Sequence, residues 1–191
     1  QFPNKEQDLP QELLQLKDFG LEIKWCEDFK SLKKILPSLK EFPNDIIVTA
    51  DDDLYYEKDW LNKLYSAYLK DKSNIYCHRI ARLNLNDNKI FALNSKHYKT
   101  NCHIIPSYLN SIFGGSGCLF PPNSFNEEVF NINNFNRLAH NADDLWIWAM
   151  LTLNNKKIVE VSGAKSDFQI IDGTAEYSLC KKNKKRNFNK I

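Results

Sequence analysis

The chain has 191 residues, 26 Lys and Arg against 24 Asp and Glu, a formal net charge of +2, and 13% aromatic residues. That length suits one domain with a real core, and the aromatic content argues against disorder. The near-balanced charge gives no global pull towards nucleic acid, and no run of about 18 apolar residues exists that could span a membrane as a helix.

The opening, Gln1-Phe2-Pro3-Asn4-Lys5-Glu6, is polar and unlike a signal peptide, and the absence of an initial Met suggests a fragment or a processed chain. Residues 9–19 carry apolar side chains at helical spacing, ended by Gly20. Leu21-Glu22-Ile23-Lys24-Trp25 alternates and predicts a strand. Residues 31–42 are helical in period, with Leu32, Ile35, Leu36 and Leu39 on one side and an interruption at Pro37. A strand over 45–50 follows, then an amphipathic helix over 58–69. Helix–strand–helix–strand–helix implies a parallel α/β layer.

After Ser73, residues 75–80 and 89–93 predict a hairpin around Asn86-Asp87-Asn88, an antiparallel addition to the sheet. Residues 95–113 resist assignment. A strand over 116–120 stops at Pro121-Pro122, a helix covers 143–153, and a last strand covers 157–161. The run Lys181-Lys182-Asn183-Lys184-Lys185-Arg186 makes residues 176–191 a basic tail, either simply solvated or drawn to an anionic membrane face. Five cysteines, at 26, 77, 102, 118 and 180, form no C-x-x-C pair, and Cys77-His78 and Cys102-His103 lack zinc spacing; reduced thiols in a cytoplasmic protein are expected.

The most informative motif is Asp51-Asp52-Asp53, at the end of the apolar run Ile46-Ile47-Val48-Thr49-Ala50. Contiguous carboxylates repel, and a hard divalent cation, Mg²⁺ or Mn²⁺, would offset that repulsion. Ligands in open α/β sheets gather beyond the carboxyl ends of strands, where these acids belong. A polar turn with Asp53 or Asp59 capping the next helix is the plainer alternative. Two further motifs stand out. The glycines of Gly114-Gly115-Ser116-Gly117 let backbone approach a ligand closely, or serve a tight turn. In Asn141-Ala142-Asp143-Asp144-Leu145-Trp146 the acids either complement a helix N-terminus capped by Asn141 or provide a base.

In their order and spacing these three motifs resemble those of GT-A glycosyltransferases, closest to the family 2-like enzymes of bacterial surface polysaccharide synthesis. The likeness covers about residues 1–165. It implies a Rossmann-like α/β fold over residues 1–175, with a mostly parallel sheet between helices and a small antiparallel addition. The usual first βαβ unit is expected to be missing ahead of Gln1. It also implies a nucleotide-sugar donor, a glycan or lipid-linked glycan acceptor, and a Mn²⁺ or Mg²⁺ cofactor. Asp53 and Asp51 would be metal ligands, and Asp51, Asp52, Gly114, Gly115 and Ser116 would contact the donor. Asp144, in preference to Asp143, would be the catalytic base, and Trp146 and Trp148 would wall the acceptor site. A late metal ligand is often His in this family; here no His lies beyond His140, and Asp167 and Asp172 stand in that region. Transfer of another group, or a non-catalytic chain of the same design, are the alternatives. A phosphatase of the haloacid-dehalogenase type is disfavoured by Tyr55, where that chemistry wants Thr or Val.

Overall fold

The computed structural model describes residues 2–86, 89–92, 105–139, 142–161, 163 and 168–174. The basic tail, Asn141, Asp167, the centre of the Asn86-Asp87-Asn88 turn, Cys102 and Cys180 lie outside them. The first apolar segment forms a short helix α1 (Gln11–Gln15) and a 3₁₀ turn (Leu16–Phe19), closed by Gly20 at φ 97°. A left-handed residue at a helix end is what glycine allows at little cost. The second forms a 3₁₀ turn (Lys30–Lys34) and α2 (Leu36–Glu41). Pro37, lacking an N–H, sits in the first turn of α2, where no partner is required, so it splits the predicted helix and starts the second half. Residues 21–25 form no strand.

Next come β1 (Ile47–Thr49), α3 (Trp60–Lys70), β2 (Ile75–Cys77), β3 (Ile80–Asn86), β4 (Lys89–Ala92) and β5 (Asn110–Ile112). β6 (Cys118–Phe120), α4 (Ile132–Leu138), α5 (Asp143–Leu153) and β7 (Ile158–Glu160) complete the described elements. β1, β6, β2 and β7 form one sheet in that order, and β4, β3 and β5 form a second. The predicted strand over 75–80 breaks at His78, and its second part belongs to this second sheet. The hairpin is β3 with β4, antiparallel, with β5 pairing on the other side of β3.

The fold is α/β with a mixed sheet between helices, but the pairing is not mostly parallel. β6 lies between β1 and β2 and runs against both, leaving β2–β7 as the parallel pair. β1, β2 and β7 still point the same way. The expectation of a parallel layer took helices and strands in alternation and had no means of seeing a late strand inserted between two early ones.

Period-two alternation sends side chains to two cores. Ile75, Cys77, Cys118, Phe120 and Ile158 face Leu32, Ile35 and Leu36, and Trp146, Ile147 and Leu151 of α5. Tyr76, Leu119 and Val159 face Leu64 of α3. Full burial of a Leu or Ile stabilises by about 1.5–3 kcal/mol, so the two clusters hold the layers together. Asn110, fully buried, ties the sheets: its Nδ2 donates to the carbonyls of Ile105 (3.1 Å) and Ile158 (2.7 Å), and its Oδ1 accepts from Arg82 at 2.7 Å.

Antiparallel insertion of β6 has a local consequence. Thr49, at the end of β1, pairs with Cys118, at the start of β6, so the acidic turn and the glycine loop emerge side by side. Gly117 turns that loop at φ 108°, and a Cβ there would meet the Trp60 ring at 2.5 Å. Gly117→Ala therefore adds both backbone strain and a clash. Urea unfolding should show a loss of at least about 2 kcal/mol; an unchanged midpoint would mean that the loop does not need this conformation.

Candidate active site

The short strand β1 delivers Asp51 to the sheet edge, where the chain turns away towards α3. Tyr56 fixes that turn. Its hydroxyl accepts from the Asp51 N–H at 2.7 Å and lies 2.5 Å from the Gly115 carbonyl and 3.2 Å from that of Asp51. Burial, with the Asp51 and Asp53 charges also raising it, lifts the Tyr56 pKa to about 12, so its proton stays in place to be donated. Two more bonds hold the glycine loop: Thr49 Oγ1 donates to the Gly114 carbonyl at 3.1 Å, and Trp60 Nε1 donates to that of Ser116 at 2.9 Å. From below, Tyr55 N–H donates to the Gln169 carbonyl and Ile171 N–H to that of Asp53, both at 2.9 Å.

The two glycines touch the two groups of acids. A Cβ on Gly115 would lie 2.0 Å from Asp51 Oδ2, and one on Gly114 would lie 2.9 Å from Asp144 Oδ1. Gly114 N–H donates to that same Asp144 oxygen at 3.0 Å. The glycines are therefore needed for close approach, and the acids of 51 and 144 meet across them.

Lys34 joins the acids a second time. Its Nζ lies 2.9 Å from Asp51 Oδ1 and 3.5 Å from Asp143 Oδ2, with the lysine side chain only 22% exposed. Burial works against its charge, but the carboxylates of Asp143, Asp51 and Asp144 outweigh it and hold the ammonium above the ordinary lysine range. Sequence reasoning missed this residue. Lys33 and Lys34 lie together in a basic stretch, and nothing in their spacing distinguishes the inward lysine from the one that pairs with Asp28 at the surface.

Asp144 has a displaced titration. Burial, and then the adjacent Asp143 charge, raise its pKa from 3.8 to about 7, while Lys34 and the Gly114 N–H pull it back. Between those two values the folded carboxyl keeps a proton that the unfolded chain has released, so this group makes stability fall as pH rises from about 4 to about 7.

The remaining expected residues are distributed as follows. Asp52 is exposed, and Asp53 is half-buried with no hydrogen bond or ion pair from its carboxylate among the described residues. Ser116 is buried, and its carbonyl is taken by Trp60. Trp146 is 3% exposed, packs edge-on against Phe135 and donates its indole N–H to the Val129 carbonyl. It belongs to the core and has no face to offer a substrate. Trp148 packs against the same core and donates to the Tyr108 carbonyl at 2.7 Å. Because α5 is apolar on nearly every side, its sequence could not tell an inward Trp from an outward one. α5 begins at Asp143 as expected, with Ala142 as its cap residue and no side-chain cap bond. Asp172 is exposed.

Among the described residues no three His, Cys, Asp or Glu side chains are grouped to hold an ion. That arrangement does not suit a cation caged wholly by protein. Mg²⁺ and Mn²⁺ can also be held by one or two carboxylates and completed by phosphate oxygens and water. Asp53 has the free carboxylate for this. Asp51 already shares its charge with Lys34 and is the weaker candidate ligand.

No family model matches this chain, and no curated protein and no solved structure matches it either. Among the described residues no helix is long and apolar enough to cross a membrane.

The carboxyl carbon of Asp144, followed by NMR, should titrate with a midpoint near 7. In Lys34→Met the midpoint should move upwards, because a nearby positive charge is lost. A midpoint near 4, or no movement, would contradict the electrostatics described.

Proposed function

We propose that this chain is a metal-dependent glycosyltransferase of GT-A arrangement. It would move a sugar from a nucleotide-sugar donor to a glycan hydroxyl, with inversion, in bacterial surface polysaccharide synthesis. The observation that carries this reading is the meeting of Asp51 and Asp144 across the Gly114-Gly115 backbone. It puts acids from a strand end and a carboxyl of near-neutral pKa into one site. An anionic turn for the donor and a base for the acceptor are the two requirements of such a transfer.

In the reaction, the acceptor oxygen forms a bond to the anomeric carbon on the face opposite the leaving group, and the bond from that carbon to the diphosphate oxygen breaks. The acceptor proton passes to the Asp144 carboxylate, and the nucleoside diphosphate leaves with the electron pair. A pKa near the working pH favours a general base, because the deprotonated form is present and still binds the proton well. Gly114 N–H orients the receiving carboxyl, and Lys34 holds Asp143 away from that role. Mn²⁺ or Mg²⁺, held by Asp53 with Asp51 beside it, would supply charge to stabilise the departing diphosphate. The exposed Asp52 and half-exposed Gly115 face the donor.

Calorimetry should detect binding of UDP or GDP in the presence of Mn²⁺, abolished by chelator and weakened at least about tenfold in Asp53→Asn. Equal binding with and without metal would remove the metal from the account; no binding of either nucleotide would favour a non-catalytic chain. With a donor in hand, Asp144→Asn should lower the transfer rate by about 10²- to 10⁴-fold. Transfer at the original rate would dismiss it as the base.

A further inference from the structure

Adjoining the acidic turn is a pocket of about 320 Å³, walled by Tyr55, Tyr56, Trp60, His78 and Phe168, with Glu57 and Gln169 beside them. Its rings brace one another. Trp60 stacks on His78 with centroids 5.8 Å apart and planes 13° from parallel, and Tyr56 leans on Trp60 at 4.7 Å. Phe168 meets Tyr56 and His78 edge-on at 6.0 and 6.3 Å. The polar ends of two of these rings are engaged elsewhere, Tyr56 on the backbone of Asp51 and Gly115, and Trp60 on the Ser116 carbonyl. What Tyr56 and Trp60 offer a ligand is carbon. Tyr55, 56% exposed, adds a ring with an open face.

Three polar side chains edge the pocket. His78 Nε2 lies 2.9 Å from the Trp60 carbonyl. A carbonyl only accepts, so Nε2 carries the proton and Nδ1 keeps its lone pair. That lone pair has no hydrogen-bond partner among the described residues, although His78 is only 3% exposed. Burial holds the imidazole below its ordinary pKa, in its neutral form. Glu57 adds carboxylate oxygens and Gln169 an amide. Among the described residues no cation lines the pocket, and nearby Lys63 is held by Glu57 at 3.1 Å and Asp59 at 3.2 Å.

The lining therefore wants a ligand with an apolar face and a rim of hydroxyl groups, which can donate to the acceptors here and accept from the Gln169 amide. We propose that the pocket holds a pyranose ring of the acceptor glycan. The C–H face of the ring packs on the aromatic wall, one hydroxyl donates to His78 Nδ1, and others meet Glu57 and Gln169. The inference rests on the transferase reading for calling this sugar the acceptor, and it gives the acceptor a site that the buried Trp146 cannot provide. Two observations favour it. Ligand pockets begin at about 300 Å³, so this one has the room that a sugar ring needs. Tyr56 is at once a wall of the pocket and the residue that fastens Asp51 to Gly115, so a sugar here borders the reacting centre.

The test is saturation-transfer NMR of the full chain with the methyl pyranosides of glucose, galactose, mannose and N-acetylglucosamine. UDP or GDP with Mn²⁺ is measured separately by calorimetry. At least one pyranoside should receive saturation. Tyr55→Ala should cut that signal at least about threefold and Tyr55→Phe should retain it, because the ring face is what matters. The pocket assignment is overturned if no pyranoside binds, if Tyr55→Ala changes nothing, or if uridine or guanosine displaces the sugar. Nucleotide binding without sugar binding would sink the pocket alone; sugar binding without nucleotide binding would sink the transferase reading alone.

Discussion

Lys34 holds its ammonium between carboxylates that come from opposite parts of the chain, Asp51 at the end of β1 and Asp143 at the start of α5. Neither acid could sit so near the other without it. At such separations two like charges in a partly buried setting repel by several kcal/mol, and a cation between them turns that repulsion into attraction. A partly buried ammonium is itself costly, so the partners support one another: removing Lys34 would leave the two acids without their shared counter-ion. This mutual dependence sets the geometry of the site. It keeps Asp143 occupied and leaves Asp144 to the Gly114 N–H, where burial and then the Asp143 charge raise the Asp144 pKa against the pull of Lys34.

The backbone around this cluster serves the same arrangement. Because β6 runs against β1, the loop that precedes β6 opens beside the turn that follows β1. Glycines at 114 and 115 then let the two strands of chain approach until carboxylate oxygens touch the loop. Tyr56 and Trp60 bond to the carbonyls of that loop and so keep it from relaxing outwards. Their rings also build the aromatic pocket, which links the packing of α3 against the sheet to the shape offered to a ligand.

The parts of this picture that could be read from sequence are those carried by local pattern. The apolar run before Asp51 had to be a strand, and Gly20 had to end a turn. The apolar stretch after Asp143 had to be a buried helix. The glycines at 114 and 115 could be read as positions of close approach, although not what approached them. What could not be read depends on contacts distant in sequence. Nothing near Lys34 shows that it turns inward to Asp51 and Asp143, and alternation at residues 21–25 predicts a strand that finds no partner. The direction of β6 is a property of its neighbours, not of Cys118-Leu119-Phe120. Trp146, expected at the acceptor site, is sealed into a core by Phe135 and Val129, while His78 opens onto a pocket formed by residues as distant in sequence as Gln169.

Charge is the common theme of this site. Lys34 is shared between Asp51 and Asp143, while Asp52 and Asp53 have no ion pair among the described residues; the proposed function uses these acids for a cation that would arrive with a diphosphate. A crystal structure of the chain soaked with Mn²⁺ and UDP or GDP tests this most directly. The account predicts an anomalous manganese peak on Asp53, shared with diphosphate oxygens, while Lys34 still bridges Asp51 and Asp143. A nucleotide bound away from the acidic turn, or a Lys34 turned out to solvent with the acids apart, would contradict it.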